Sequence, residues 1–242
     1  MITAAALCPA PPLLARELTG ADSVVPDLRE ACRDAAAALL ASRPDVVAVV
    51  GAAEKTAGWD PSGRLDVAAY APMLGRTVPG RDVPGSGPPL PLALGLGAGL
   101  LDQAGYQGRR VMQSVSQDEP AAQCAELGSR LAGLAGRAAL LVMADGSARR
   151  GRRAPGHLDE RSAPFDAEVE RAVREGDLGA LLAIDPDLAR ELMATGRPAW
   201  QVLAGALAGV APRTVIRYCA DPFGVAYLVA SLAVETTATQ HA

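Results

Sequence analysis

Three short stretches of this sequence carry side chains suited to chemistry. They are Cys8, residues 51–55 and residues 145–147. A thiol or a carboxylate can act as a nucleophile, a general acid or base, or a metal ligand. Each stretch follows an apolar run that predicts a strand, and ligands of open α/β sheets bind beyond the carboxyl ends of strands. We therefore expect one cleft. Its candidate residues are Cys8, Glu54, Lys55, Asp145, Ser147 and His157.

Each of these residues also has a simpler structural interpretation. Free cysteine is among the most buried residue types, so Cys8 could merely close a strand. Its use as a nucleophile would need a base and a lowered pKa, and no base is identifiable. Asp145 and Ser147 are also typical of a turn or a helix cap. Glu54 and Lys55 could form a surface ion pair of little energetic value.

A basic stretch lies between residues 149 and 157. Arg149 and Arg150, followed by two more arginines at 152 and 153, could bind an anion or a phosphate, although a solvated loop is the simpler explanation. His157 follows, in a segment flanked by arginines and acids. A single loop histidine is usually solvated, so both interpretations of His157 stay open.

The elements that must position these residues alternate between strand and helix. Continuous apolar runs predict strands, and apolar residues at helical spacing predict helices. This order favours a mostly parallel sheet flanked by helices, in one α/β domain spanning residues 1–242. The predicted strands are residues 2–7, 46–50, 110–116 and 138–143, and the predicted helices between them are residues 27–42, 90–103 and 121–134.

The remaining segments are punctuated by glycine, proline and aspartate. Residues 58–89 predict an irregular excursion with one short strand at 65–70, and residues 166–209 predict three or four short helices. Two closing strands are expected at 214–218 and 224–232, with a helix as the alternative for the second. Gly95, Gly97 and Gly99 indicate close helix packing rather than a dinucleotide-binding loop.

Composition narrows the possible environments and partners. A net charge of −4 gives no basic face for nucleic acid. No uncharged stretch reaches the roughly 18 apolar residues of a membrane span, and prolines interrupt the apolar start, which lacks the positive residues of a secretory signal. The four cysteines show no CxxC or disulfide-type spacing. We therefore expect a cytoplasmic protein, with neither membrane nor nucleic acid as partner and an oligomeric state that the sequence does not indicate.

Short motifs at the predicted strand ends resemble those of a known family. They are Ala-Leu-Cys8-Pro, Val-Val-Gly51-Ala-Ala-Glu54 and Ala144-Asp145-Gly146-Ser147-Ala148, with Pro-Phe-Asp166 and a late Phe-Gly-Val-Ala-Tyr227. Their order resembles the LigB-like superfamily, which includes class III extradiol dioxygenase B subunits and Memo proteins. The resemblance covers most of the chain and implies an α/β fold.

The resemblance also implies an iron site, from which this chain departs. Family histidines fall on Cys8, on Ala53 or Glu54, and on or near Ala148, and the late strand has no carboxylate. Non-haem Fe(II) oxygenases hold iron with two imidazoles and one carboxylate. This chain has only two histidines, His157 and His241.

Two functions follow as hypotheses. In the first, the domain has lost the iron site, needs no cofactor, and binds a small molecule or a protein partner in the remaining cleft. In the second, it is an extradiol-type dioxygenase using Fe(II) or Zn with unusual ligands drawn from Cys8, Glu54 and His157. A third possibility is an interaction protein whose cleft is empty.

Overall fold

The computed structural model describes residues 1–19, 24–65 and 87–234. Long apolar runs in this part of the chain form strands, because extended segments rich in Val, Leu and Ala can be buried on both faces of a sheet. The strands are β1 Ile2–Cys8, β2 Val46–Ala53, β3 Ala57–Trp59, β4 Arg64–Leu65, β5 Pro89–Leu90, β6 Arg109–Ser116, β7 Ala138–Met143, β8 Arg213–Ala220 and β9 Tyr227–Ala233.

Seven of these strands make one sheet, in the order β3-β6-β2-β7-β1-β9-β8, and β4 pairs with β5 separately. The central strands β6, β2, β7 and β1 are parallel. At one edge β3 runs antiparallel to β6, and at the other the β8–β9 hairpin runs antiparallel to β1. The expected mostly parallel α/β sheet is confirmed.

Helices cover both faces of this sheet. They are α1 Arg16–Thr19, α2 Pro26–Ala41, α3 Leu92–Gln103, α4 Ala121–Ala132, α5 Ser162–Glu175, α6 Leu178–Leu182, α7 Pro186–Glu191 and α8 Arg197–Ala206. One apolar layer packs α2 and α3 on the sheet, and the other packs α4, α5, α6 and α8 on the opposite face. None of the helices in the described ranges is long and apolar enough to span a membrane.

Side chains on each strand alternate between the two layers. On β1, Ala6 and Cys8 point into the layer of α2 and α3, whereas Ala5 and Leu7 point into the layer of α4 and α8. This period of two follows from the pleat of a strand. It decides which layer each strand-end residue faces.

The helix α3 lies very close to the sheet, as its glycines predicted. A Cβ atom on Gly97 would lie 2.5 Å from Val49 Cγ1, and one on Gly95 would lie 2.7 Å from the Cα of Leu65. Gly99 faces open space, with nothing within 4 Å of such an atom. Two of the three glycines therefore serve close packing, and the third does not.

Two of the short helices after β7 begin at the aspartates that the sequence predicted, whereas the first, α5, begins at Ser162 rather than at residue 166. The Asp185 carboxylate accepts hydrogen bonds from the backbone N–H groups of Asp187 and Leu188, at 2.8 and 3.0 Å. Asp177 accepts one from Ala180 at 2.9 Å. Such caps satisfy amide groups that have no partner within the helix. Four helices, α5 to α8, fill this segment.

One buried cation joins the end of β6 to α8. Arg197 is 2% exposed, and its Nη1 donates to the Glu119 carbonyl at 2.7 Å and to Gln201 Oε1 at 2.9 Å. Its Nη2 donates to the Gln117 carbonyl. A guanidinium offers five donors in a fixed plane, so one side chain holds three acceptors in place.

The remaining predicted elements differ mainly at their ends. The last strand begins at Tyr227 rather than at residue 224, because Gly224 adopts a φ of +73° in the turn before it. Two-residue strands at 64–65 and 89–90 border the predicted excursion. The short strand expected at 65–70 falls almost wholly outside the described residues.

Candidate ligand-binding site

The carboxyl ends of the first, second and seventh strands lie side by side. Met143, the last residue of β7, pairs with Cys8 on one side and with Gly51 on the other. Beyond these ends the Asp145 carboxylate accepts a hydrogen bond of 2.8 Å from the Ala10 amide. The strand ends therefore meet as the sequence indicated, but their side chains diverge.

Cys8 lies in the hydrophobic core. Its side chain is fully buried in the layer of α2, next to Cys32. The hydrogen bond with Cys32, followed by burial, raises the pKa of the Cys8 thiol well above its ordinary value. A buried neutral thiol is a poor nucleophile. The alternative interpretation, a small residue that closes a strand, fits this position.

Glu54 and Lys55 lie at the surface. The Lys55 Nζ is 5.5 Å from the centre of the Trp59 ring. The suggested ion pair is therefore replaced by a cation–π contact, which at an exposed position contributes about 0.5–1 kcal/mol. Neither residue lines the cavity described below.

Asp145 follows β7 and has a perturbed carboxyl group. Burial raises its pKa to about 6, although the hydrogen bond from Ala10 acts in the opposite direction. The nearby Tyr227 lies in the layer of α2, and burial, with a smaller effect from Asp145, raises its pKa to about 12. Asp145 thus faces the same core layer as Cys8.

Ser147 leads to a different group of polar residues. It is fully buried, and its backbone N–H and its Oγ donate to the two carboxylate oxygens of Asp166, at 2.9 and 2.5 Å. Arg150 Nε lies 3.8 Å from Asp166 Oδ2 and 2.8 Å from Asp221 Oδ2. A connected network therefore joins the loop after β7 to α5 and to the end of β8.

This network borders a cavity of about 460 Å³ between α5 and the β8–β9 hairpin. That volume lies within the usual range of small-molecule sites, about 300–1,000 Å³. Its walls are mostly apolar, with a few charged groups. The described lining residues are Gly146, Arg150, Ala163, Asp166, Ala167, Val169, Glu170, Trp200, Cys219, Ala220, Asp221, Ala226, Tyr227 and Leu228.

Two lining residues have unusual polar atoms. Trp200 is 1% exposed, and its Nε1 has no hydrogen-bond partner among the described residues. Cys219 is the exposed one of the four free cysteines. Burial raises its thiol pKa, and the neighbouring Glu170 and Asp166 carboxylates raise it further. A buried donor without a partner is rare in folded proteins and costs about 1–3 kcal/mol.

His157 and Arg149 lie away from this cavity's lining. His157 is exposed in a turn with φ of +58°, and its backbone N–H donates to the Ala154 carbonyl at 3.0 Å. Arg149 Nη1 lies 3.9 Å from Asp159 Oδ2. The structure does not support the anion site expected at Arg149 and Arg150, because Arg150 already pairs with the carboxylates of Asp166 and Asp221.

The residues present do not fit an iron site at the positions that the resemblance implies. Cys8 points into one core layer, Glu54 is exposed, and Ala148 is buried and apolar. Within residues 1–19, 24–65 and 87–234, no three His, Cys, Asp or Glu side chains come together as metal ligands. Cys8, Glu54 and His157 therefore do not form the suggested metal centre.

The sequence patterns do not predict most of the residues that line this cavity. Asp166 and Tyr227 occur within the short motifs quoted above, whereas no sequence pattern marks Trp200 or Cys219 as a site residue. Asp221 directly follows a strand, which is the same signal that singled out Asp145. A carboxylate directly after a strand therefore also marks Asp221 as a candidate site residue.

Comparisons with known proteins give a fold but no family. No protein-family model matches the chain, and no curated protein matches it. Among solved structures, an uncharacterized protein from Escherichia coli K12 is similar, with 17% sequence identity and a TM-score of 0.57. The alignment covers 96% of this chain and 99% of that one. At this identity the likeness shows a shared fold alone.

Proposed function

We propose that this chain is a LigB-like domain that has lost the family's iron site and binds a small molecule in the cavity between α5 and the β8–β9 hairpin. The proposal rests on the cavity itself. Apolar walls with a few convergent polar groups are typical of ligand sites. The convergence of the Arg150, Asp166 and Asp221 side chains on this cavity is the observation that favours a bound molecule over an empty space.

The surrounding network supports a rigid site. Asp166 is held by two hydrogen bonds from Ser147, and Arg150 links it to Asp221. A site whose side chains are already fixed loses less conformational entropy when a ligand binds. The LigB-like ancestry is supported by the motifs at the strand ends and by the shared α/β architecture. We further propose a cytoplasmic location, supported by the spacing of the cysteines.

Alkylation of Cys219 tests the binding proposal. The other three cysteines are buried, so a mild thiol reagent such as iodoacetamide should modify Cys219 first. A fragment that occupies the cavity should slow this reaction, as measured by intact-protein mass spectrometry. The variant Ala167→Phe places a ring at the exposed mouth of the cavity and should abolish the protection.

A matched control distinguishes a blocked cavity from a general effect of adding a phenyl ring to the protein. Ala37→Phe adds the same ring at an exposed position of α2, on the opposite face of the sheet, and should leave the protection intact. If a broad fragment library protects Cys219 nowhere, or protects it equally in Ala167→Phe, the cavity is not a binding site.

A further inference from the structure

The cavity's charges indicate what kind of molecule it would hold. Among the described lining residues, one guanidinium, Arg150, faces three carboxylates, Asp166, Glu170 and Asp221. Glu170 is neutralised from outside, because Arg174 forms an ion pair with it. Arg150 is shared by Asp166 and Asp221. The three lining carboxylates therefore carry one negative charge that Arg150 and Arg174 together do not balance.

The hydrogen bonds around Asp166 match an ionised carboxylate. Ser147 donates to both of its oxygens, and Arg150 Nε lies 3.8 Å away. Burial raises the pKa of Asp166, whereas the hydrogen bonds from Ser147 and the charge of Arg150 act in the opposite direction. Asp221 likewise faces the Arg150 guanidinium. Asp166 and Asp221 are therefore the carboxyl groups that a cation in this cavity would contact.

The apolar walls indicate that the missing positive charge belongs to an organic molecule. Val169, Trp200 and Leu228 supply surfaces that a hydrated metal ion would not use, since Mg²⁺ and Ca²⁺ require several oxygen ligands. An indole is also a favourable neighbour for an ammonium group.

We infer that the ligand of this cavity is a compact organic cation, an ammonium group on an apolar body. The inference rests on the proposed function and specifies it. The ammonium group replaces the missing positive charge beside Asp166 and Asp221. The apolar body lies against Val169, Trp200 and Leu228.

Four matched probes test this inference. They are 3-methoxybenzylamine, 3-methoxybenzyl alcohol, 3-methoxybenzoate and 3-ethylbenzylamine. The variant Trp59→Phe leaves Trp200 as the sole tryptophan, so its fluorescence reports the cavity. The methoxy amine should bind about tenfold more tightly than the alcohol or the anion, since one ion pair at intermediate dielectric supports such a difference. The ethyl amine, which keeps the ammonium group and the apolar ring, should bind about as tightly as the methoxy amine.

Charge-removing variants identify the carboxylates. In the same background, Asp221→Asn should weaken amine binding several-fold and leave alcohol binding unchanged, and Asp166→Asn should do the same if it folds. Glu126→Gln removes an exposed carboxylate from α4 and should change neither. Equal affinity for amine and alcohol, or preference for the anion, overturns the inference and leaves the binding function standing. No response to any probe or library fragment overturns both.

Discussion

Asp145 offers a test of the electrostatics at the strand ends. Its carboxyl group is partly buried, accepts one hydrogen bond from Ala10, and has a pKa raised from 3.8 to about 6 by burial. Between those two values the folded protein keeps a proton that the unfolded chain releases. The stabilising contribution of Asp145 is therefore complete below pH 3.8 and is lost as the pH rises through about 6.

The magnitude follows from the pKa values. A difference of about 2 in pKa, at about 1.4 kcal/mol each, corresponds to about 3 kcal/mol at most, which is the cost of ionising Asp145 in the folded state. Asparagine keeps an acceptor for the Ala10 amide and carries no charge. Asp145→Asn should therefore match the wild type near pH 4 and exceed its free energy of unfolding at pH 7.5 by up to this amount.

Urea unfolding from pH 4 to pH 7.5 measures the difference directly. Glu126→Gln gives the baseline for removing an exposed carboxylate. If Asp145→Asn is less stable than the wild type at pH 7.5, or if the difference does not grow with pH, the Asp145 carboxylate is not destabilised by burial and the reasoning fails.

Two further predictions concern packing and the buried cation. Gly97→Ala should lower the free energy of unfolding by about 1–3 kcal/mol, because the added methyl group would overlap the sheet. Gly99→Ala, in open space on the same helix, should raise the free energy of unfolding by up to about 1 kcal/mol. Urea unfolding of both variants would contradict this account if their stabilities changed alike. Arg197→Lys should cost about 1–3 kcal/mol, since one ammonium cannot reach all three acceptors that the guanidinium holds. An unchanged urea midpoint for Arg197→Lys would show that those acceptors do not need the planar guanidinium.

The layout of the fold could be predicted from local patterns. The segments that form β1, β2 and β7 are almost entirely apolar, which predicts buried strands. The aspartates that precede α6 and α7 match the sequence pattern of helix N-caps. These signals are local, because a strand or a cap is decided by its own few residues.

The site could not be predicted in the same way. Cys8 ends a strand in the expected place, but the pleat turns its thiol towards α2 rather than towards a cleft. The cavity joins Asp166 on α5 with Asp221 after β8, and only the packing of the hairpin against the helix brings them together. The strand-end pattern favours the carboxyl ends of the central strands β1, β2 and β7, whereas the cavity lies beside the edge strand β8.

The indole N–H of Trp200 gives the most direct test of a ligand-binding cavity. The chain has two tryptophans, so a ¹⁵N-correlated spectrum contains two indole signals, which Trp59→Phe assigns. Titration with 3-methoxybenzylamine should shift the Trp200 signal in a saturable way, leave the Trp59 signal in place, and have no effect in Ala167→Phe. A Trp200 signal that stays fixed at saturating concentrations of every probe and library fragment would contradict the account.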